Sequence, residues 1–309
     1  MTTPATPSIP PLSQLATQLR GELHWGKTML TLYATDASAY REFPLAVAFP
    51  KDKEDLKKLI AFARRYQTSL IPRTAGTSLA GQVVGKGIIV DVSRFFKEIT
   101  EVNQEEKWVR LQPGVVRDEL NLHLKPYGLY FGPETSTANR AMMGGMVGNN
   151  SCGANSVVYG STRDHLLEVD VLLSDGSEAT FKPLSQEEFL AKTQEDTLEG
   201  QIYASIQKML SDPQHQARIR EEFPKSSIPR RNTGYAIDLL LESAPFIEGK
   251  PHFNMCQLMA GSEGTLAFIT SIKLAASPLP PQHKCLVCAH FGSIDEALRA
   301  NLVALRFNP

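Results

Sequence analysis

The hydrophobic positions of the chain alternate between the period of a helix and the period of a strand. In residues 54–67 the apolar side chains, among them Leu56 and Leu59, recur every three or four positions, which predicts an amphipathic helix. Residues 69–72, mostly apolar, predict a short buried strand, and the β-branched run at 85–93 predicts another strand, entered through glycine. A helix followed by two strands indicates a fold that mixes α and β elements.

The same two periods continue further along the chain. Residues 107–114 predict a strand, and residues 115–128 predict a helix that ends at a glycine. Alternating apolar and acidic residues at 166–181 predict a β-hairpin with its turn at Asp175–Gly176. The charged residues 185–222 have a helical pattern and predict a solvated helical excursion.

The C-terminal part of the sequence predicts a domain boundary. Residues 261–277 return to strand character, and the proline-rich residues 277–283 favour a linker because proline breaks regular elements. Residues 279–309 predict one strand and one amphipathic helix, which are too few residues for a domain of their own. The sequence therefore predicts a chain that is truncated inside a second domain.

Composition limits the possible classes of protein. The 309 residues are enough for a substantial core and for about two domains. Lysine and arginine number 32 against 33 acidic residues, so charge gives no reason to expect nucleic acid or an anionic membrane as the main partner. The N-terminus does not resemble a signal peptide, and no apolar run approaches the roughly 20 residues that span a bilayer. We therefore predict a cytoplasmic protein, with peripheral membrane association left open.

The cysteines do not predict a disulfide framework or an iron–sulfur cluster, because they are few and scattered. They are Cys152, Cys256, Cys285 and Cys288. The last two form a CxxC pair, the pattern of a redox or zinc site, but the apolar residues 283–292 around them favour a strand instead. No metal site is predicted, and His165 is interpreted as a structural histidine at the start of a strand.

Three stretches are rich in glycine and hydroxylic residues, at 71–81, 131–161 and 261–265. A turning glycine backbone can approach a polyanion closely and offer it amide and hydroxyl donors. The first stretch is neither a P-loop nor a GxGxxG dinucleotide fingerprint. One such stretch is more often a turn-rich connection than a binding site. Three of them favour a large, flat, phosphorylated cofactor that contacts all three.

Four motifs in this order resemble those of the FAD-linked oxidase family, which has the vanillyl-alcohol-oxidase (PCMH) type of FAD-binding domain. They are "PRTAGTSLAG", "GPETSTANRAMMGGMVGNNSCGANSVVYGSTRDHLLEVDVLLSDG", "RRNTGY" and "GSEGTLAFIT". The resemblance covers about residues 42–278 and is strongest to D-2-hydroxyacid dehydrogenases, which include D-lactate, glycolate and D-2-hydroxyglutarate enzymes.

The resemblance implies an α+β fold with three parts. Residues 1–41 would be an N-terminal lead-in and helix. Residues 42–278 would form a two-subdomain PCMH-type FAD-binding domain, with the helical excursion at 185–222. Residues 279–309 would be the start of a truncated α+β cap domain, which contributes to the substrate site in the family.

The resemblance also implies noncovalently bound FAD and the residues that hold it. Those implied for the pyrophosphate are Arg73, Thr74, Ala75, Gly76, Thr77, Ser78 and Leu79. Those implied for the isoalloxazine and ribityl groups are Pro133, Glu134, Gly144, Gly145, Asn149 and Ser151. Those implied for the adenosine side are Val169, Glu263, Gly264 and Ile269. Thr77 and Ser78 stand where relatives with covalent flavin often carry a histidine, which favours noncovalent FAD.

Such a site removes a hydride from the carbon that bears the substrate hydroxyl, while cations hold the substrate carboxylate. Arg230 and Arg231 are the candidates for that carboxylate, with Thr233 and Tyr235 as nearby hydrogen-bonding groups. Which arginine corresponds to the basic residue of the family stays open. Paired arginines are also a common feature of exposed surfaces.

The implied function is FAD-dependent oxidation of a D-2-hydroxyacid, with electrons passed to a quinone, a cytochrome or an iron–sulfur region. The sequence contains neither the HxGDGN-type histidine motif of the cap nor the cysteine clusters of longer relatives. A competing hypothesis is therefore an FAD-binding module without turnover of its own. A third is a different reaction on the same domain, such as that of an enolpyruvyl reductase or an alcohol oxidase.

Overall fold

In the computed structural model, the described residues are 11–225, 227–228, 230–283 and 285–307. The chain divides into two compact units, Met1–Pro278 and Leu279–Pro309. The boundary falls in the proline-rich segment 277–283. Residues 1–10 of the predicted lead-in lie outside the described residues.

The strands belong to the first unit and are mostly short. They are β1 (Glu22–His24), β2 (Ala46–Phe49), β3 (Leu70–Arg73), β4 (Ile88–Asp91), β5 (Ile99–Asn103), β6 (Trp108–Leu111), β7 (Leu129–Tyr130), β8 (Leu166–Leu172), β9 (Glu178–Phe181), β10 (Pro183–Leu184), β11 (Phe253–Asn254), β12 (Phe268–Ala275) and β13 (Ser277–Pro278). A four-stranded sheet has the order β1-β2-β4-β3, with β2, β4 and β3 parallel and β1 antiparallel to β2. A five-stranded antiparallel sheet has the order β5-β6-β12-β8-β9. The remaining strands pair as β10 with β11 and β7 with β13.

The described residues also form a set of α-helices. They are α1 (Leu12–Gln18), α2 (Lys27–Tyr33), α3 (Lys53–Tyr66), α4 (Arg117–Leu124), α5 (Met143–Asn149), α6 (Ser156–Tyr159), α7 (Thr162–His165), α8 (Gln186–Lys192), α9 (Leu198–Leu210), α10 (Pro213–Glu222), α11 (Ile237–Leu241), α12 (Cys256–Met259) and, in the second unit, α13 (Ile294–Ala304). Short 3-10 helices lie at Lys125–Tyr127 and Leu305–Phe307. Within the described part of the chain, no helix is long and apolar enough to cross a membrane.

The predicted helix at 54–67 is confirmed as α3. The Asp52 side chain caps its N-terminus by accepting a hydrogen bond from the Asp55 backbone N–H, at 3.0 Å. Leu56 and Leu59 are fully buried, as their spacing predicts. The helix ends at Gln67, whose left-handed backbone, with φ 49°, stops the helical hydrogen bonding.

Each of the two larger sheets has its own hydrophobic core, and two residues of the five-stranded sheet pack in the core of the four-stranded sheet. The core of the four-stranded sheet includes Leu56 of α3, and the core of the five-stranded sheet includes Phe189 of α8 and Phe253 of β11. Leu172 and Phe268 belong to the second sheet but pack in the core of the first. The two subdomains of the first unit therefore meet where β8 ends and β12 begins.

The predicted hairpin and the predicted helical excursion are confirmed. Strands β8 and β9 pair around the turn, where the Gly176 N–H donates to the Leu173 carbonyl at 2.9 Å. Gly176 has φ 88°, a conformation that favours glycine. Residues 185–222 form α8, α9 and α10.

One helix was not predicted from local sequence, and one predicted strand is absent from the described residues. Residues 143–149, a poor isolated helix by composition, form α5, because Met143, Met146 and Val147 are buried in the core and stabilise it. The strand interpretation of 283–292 is wrong for the described residues, which form no strand there. A strand needs a hydrogen-bonded neighbour, and Cys285 and Cys288 are instead exposed.

Candidate cofactor site

A cavity of about 380 Å³ lies where the three glycine-rich stretches meet in the first unit. Its volume is within the range of ligand sites in proteins. The structure brings most of the predicted cofactor residues to its wall. Those that line it are Arg73, Thr74, Gly76, Thr77, Ser78, Leu79, Gly144, Gly145, Asn149, Ser151, Glu263, Gly264 and Ile269.

The first wall is the loop that follows β3 in the four-stranded sheet. Gly76 has φ 66°, and a Cβ atom there would lie 2.6 Å from Nη2 of Arg73. The left-handed backbone at residue 76 favours glycine, and the loop lies close against the arginine side chain there. The hydroxyl groups of Thr74, Thr77 and Ser78 belong to the same wall and provide hydrogen-bond donors.

The second wall is helix α5, which packs unusually close to its neighbours. The Gly144 N–H donates to the Pro113 carbonyl at 2.8 Å, and a Cβ atom on Gly144 would lie 2.6 Å from Cβ of Pro113. A Cβ atom on Gly145 would lie 2.8 Å from Oγ1 of Thr74. The glycines thus let α5 approach both the loop that follows β6 and the first loop.

The third wall is the turn at 261–265. The Glu263 N–H donates to the Gly148 carbonyl at 3.0 Å, so this turn is joined to the end of α5. The Glu263 side chain accepts a hydrogen bond from Nε2 of Gln82 at 3.0 Å, which joins the turn to the first loop as well. The three stretches therefore form one connected site.

Four residues implied by the resemblance are not among those lining the cavity. Val169 is fully buried in β8, paired in register with Ile272 and Phe181. The Glu134 carboxylate accepts a hydrogen bond from Nδ2 of Asn155 at 2.6 Å. The other two are Ala75 and Pro133.

Several residues that line the cavity were not predicted. Most of them are neighbours of a predicted residue and could have been found by extending each motif; they are Pro72, Ala80, Gln82, Val83, Thr135, Ser136, Thr137, Ala141, Met142, Met146, Gly148, Ala267 and Phe268. Val92 and Pro113 are different, because they come from ordinary strand and loop sequence. Only the packing of the sheets brings those two to the site.

A second, smaller cavity of about 200 Å³ contains the predicted substrate residues Arg230, Arg231 and Thr233. Cys152 and Arg163 also line it. Cys152 directly follows Ser151, which lines the larger cavity, so neighbouring residues contribute to the two cavities.

The two adjacent arginines have different surroundings. Arg231 is mostly buried and forms an ion pair with the buried carboxylate of Asp238. Arg230 is exposed and forms no ion pair with a described residue. Tyr235 does not line the cavity; its hydroxyl is hydrogen-bonded to the hydroxyl of Thr265. The structure therefore leaves Arg230 available to an external anion.

Arg163 is a buried cation that sequence reasoning missed. Its guanidinium donates to the carbonyl of Gly234 at 2.6 Å and to the carbonyl of Ala260, which joins the "RRNTGY" segment to the turn before Gly261. Burial lowers the pKa of Arg163, and the nearby Asp238 carboxylate opposes that shift. Arg163 thus holds the backbone of these two segments in place.

His165 has the structural role that its sequence position predicts. It is buried, and its two ring nitrogens are hydrogen-bonded to the carbonyls of Ala275 and Tyr159, at 3.0 and 2.7 Å. Neither nitrogen is left for a ligand.

The chemistry of the larger cavity suits a group that is anionic at one end and flat and apolar elsewhere. Its hydroxyls and glycine backbone suit phosphate, and Met142, Met146 and Phe268 supply apolar surface. Among the described residues of its wall, Glu263 is the one acidic side chain, and Gln82 occupies one of its oxygens. FAD has this combination of a diphosphate and a flat ring, so the residues present fit it.

Comparisons with known proteins support FAD as the cofactor. A family described as "FAD binding domain" matches residues 44–182. D-2-hydroxyglutarate dehydrogenase of Escherichia coli (strain K12) is 40% identical over 271 residues, covering 86% of this chain and 25% of the relative. The enzyme of the same name from Pseudomonas putida is 36% identical over 284 residues, covering 91% of this chain and 27% of the relative. The chain thus spans about a quarter of the length of these relatives.

More distant proteins share parts of the chain or its fold. Glycolate oxidase subunit GlcD of Escherichia coli (strain K12) is 32% identical over 160 residues, covering 51% of this chain and 32% of the relative. A solved structure of alkyldihydroxyacetonephosphate synthase superposes with a TM-score of 0.54 at 16% identity, covering 84% of this chain and 38% of that chain. At that identity the likeness concerns the fold alone. Residues 44–182 of the chain match an FAD-binding domain, and most of the chain is similar to D-2-hydroxyglutarate dehydrogenases.

Proposed function

We propose that this chain is the FAD-binding part of a dehydrogenase that oxidises a D-2-hydroxyacid. The observation that carries the proposal is the pair of cavities in one unit, one suited to FAD and one lined by arginines, with the adjacent residues Ser151 and Cys152 each lining one of them. Relatives at 36–40% identity are named D-2-hydroxyglutarate dehydrogenase, which supports this substrate class. The cap domain that residues 279–309 would begin is part of the same proposal.

The residues that line the larger cavity have distinct proposed roles. The loop at 73–79 would bind the diphosphate through backbone N–H groups and hydroxyls. Helix α5 and Ser151 would contact the ring system, and Glu263, Gly264 and Ile269 would hold the opposite end. When bound, FAD supplies a hydride acceptor, and the protein supplies orientation and charge.

We propose that FAD is held without a covalent bond. The described residues that line the cavity include no histidine and no cysteine, the side chains whose nucleophilic atoms could attach a flavin. Denaturation in acid should therefore release all the flavin into the supernatant. Flavin that stays with the precipitated protein would contradict this part of the proposal.

We assign the substrate carboxylate to Arg230 rather than to Arg231. A guanidinium that is already paired with a buried carboxylate would have to break that pair to bind a ligand, at a cost in free energy. Arg231 is paired with Asp238 in this way, and Arg230 is not. Thr233 lines the same cavity and could donate a further hydrogen bond.

The test of the proposed function is anaerobic reduction of the bound flavin. D-2-hydroxyglutarate, D-lactate and glycolate should each be added to the FAD-loaded chain while its visible absorbance is recorded. Bleaching by a D-hydroxyacid, and not by its L-enantiomer, is the expected result. A yellow protein that none of these compounds bleaches would instead support a cofactor-binding module without turnover. The electron acceptor and the cytoplasmic location stay predictions.

A further inference from the structure

We propose that residues 33–41, which precede the region matched by the FAD-binding family, belong to the FAD site as its support. We call residues 33–41 the bracing segment and residues 73–81 the phosphate loop. The inference rests on the proposed binding of FAD at that loop. It assigns a positioning role to Tyr33 and Tyr40, which do not themselves line the cavity.

The bracing segment contacts the start of the phosphate loop through three interactions. Nη1 of Arg73 donates to the Thr35 carbonyl at 3.0 Å. The guanidinium carbon of Arg73 lies 4.9 Å from the centre of the Tyr33 ring, within the range of a cation–π interaction. The Ala37 N–H donates to the Gly76 carbonyl at 3.1 Å. The loop is therefore held at its arginine and at its first glycine.

Tyr33 is itself fixed, so it can hold Arg73 in one position. Its hydroxyl donates to the buried carboxylate of Asp91 at 2.7 Å, and its ring packs edge-on against Phe49 at 5.9 Å. Asp91 is the partner of Arg73 in the register of β3 and β4. The Tyr33 hydroxyl is thus hydrogen-bonded to the Asp91 carboxylate, which lies next to Arg73. The Arg73 guanidinium instead lies near Thr35 and Gly76.

The other end of the phosphate loop is also covered. Gly81 has φ 77°, and a Cβ atom there would lie 2.8 Å from Cδ2 of Tyr40. A β-bridge between Thr35 and Arg41 closes the bracing segment into a compact turn. The segment therefore contacts the loop at both ends, and the glycine at 81 is the position that allows Tyr40 to approach.

Through these contacts the bracing segment can order the phosphate loop and so support FAD binding. A loop that binds phosphate through backbone N–H groups must keep those groups pointed at one place, because each misdirected donor loses its hydrogen bond. Arg73 can order the loop only while Tyr33 and the Thr35 carbonyl order Arg73. Loss of the contacts of the bracing segment should lower the affinity for FAD more than it lowers the stability of the fold.

The test is Tyr33→Leu in the full 309-residue chain, with the dissociation constant for FAD and the melting temperature of the FAD-free protein as readouts. The matched control is Tyr66→Leu. Tyr66 is also half-buried beneath an arginine, Arg65 at 5.5 Å, and packs on Phe62, but it lies at the end of α3 and not at the phosphate loop.

We expect Tyr33→Leu to weaken FAD binding about tenfold, the factor for the loss of one cation–π contact and its ordering effect. Tyr66→Leu should leave the affinity within about twofold, although both variants lose ring burial and lower the melting temperature. Equal FAD affinity in Tyr33→Leu and wild type, or an equal loss in both variants, would overturn the inference. A wild-type chain that binds no FAD would instead contradict the proposed function.

Two further variants separate positioning from general destabilisation. If Tyr33 acts through Arg73, the tenfold effect of Tyr33→Leu should disappear in an Arg73→Met background, whereas additive effects would contradict the mechanism. Tyr40→Ala changes a ring that is 61% exposed, so it should fold normally. Tyr40→Ala should still weaken FAD binding several-fold. An unchanged FAD affinity would show that Tyr40 has no positioning role in the bracing segment.

Discussion

Gly144 has no room for a side chain, because a Cβ atom there would collide with the ring and carbonyl of Pro113. The proline ring and the backbone carbonyl are rigid, so Gly144→Ala should push α5 away from the loop after β6 at a cost of about 1–3 kcal/mol. We expect a lower melting temperature and loss of FAD affinity. Gly26→Ala is the control, because no atom lies within 4 Å of a Cβ atom at that position. Normal FAD binding by Gly144→Ala would show that α5 is not a wall of the site.

The adjacent arginines give a second prediction at the scale of single residues. Arg230→Met should raise the concentration of hydroxyacid needed to bleach the flavin by at least tenfold, without changing the melting temperature. Arg231→Met should lower the stability by about 3 kcal/mol, because it leaves the Asp238 carboxylate buried without its ion-pair partner. The opposite pattern, with Arg231 affecting substrate and Arg230 affecting stability, would reverse the assignment.

At the scale of elements, helix α3 is tied to the N-terminal segment by one buried carboxylate. Asp55 is 0% exposed and accepts hydrogen bonds from the backbone N–H groups of Arg20, Gly21 and Lys51, at 2.9, 2.8 and 3.0 Å. Burial alone would raise the pKa of Asp55, but these hydrogen bonds outweigh burial and lower it below its ordinary value.

A lowered pKa in the folded state fixes the sign of the pH dependence. The stability that Asp55 contributes is fully present above the pKa of the unfolded chain, near 4, and is lost as the pH falls through the lower folded pKa. Asp55→Asn should lower the free energy of unfolding at pH 7 by about 2 kcal/mol. Below about pH 4, the melting temperature of this variant should fall less steeply with pH than that of the wild type. Asp295→Asn, at an exposed carboxylate of α13, should change neither. An unchanged acid profile in Asp55→Asn would contradict this account.

The elements that were predicted correctly are those whose local sequence pattern is enough to determine their secondary structure. Helix α3 has a cap and an apolar face, and the hairpin at 166–181 has alternation and a glycine turn. Helix α5 could not be predicted in this way, because its glycines disfavour an isolated helix and its stability comes from residues packed around Met143 and Met146.

The site was predictable to the extent that its chemistry lies within the glycine-rich motifs. Thirteen of the seventeen cofactor residues implied by resemblance line the cavity. Val169 does not, because strand alternation turns its side chain into the core. The bracing segment and Pro113 gave no local signal, since their role depends on contacts with residues distant in sequence.

At the scale of the whole molecule, the core and the larger cavity belong entirely to the first unit. The second unit carries highly exposed apolar side chains, among them Leu286, Ile294 and Phe307 at 89%, 81% and 80% exposure. A chain ending at Pro278 should keep the FAD affinity of the full chain within about twofold and should aggregate less, because exposed apolar patches promote association. Loss of FAD from the shortened chain would place part of the cofactor site in the second unit.

The most direct test of the account is the FAD content of the purified chain. The protein should be incubated with excess FAD, separated from free flavin by gel filtration, and analysed by absorbance, with Gly144→Ala and Gly26→Ala treated in parallel. The account predicts one FAD per chain in wild type and Gly26→Ala, and far less in Gly144→Ala. A cooperatively folded wild-type chain that retains no FAD would contradict the central claim.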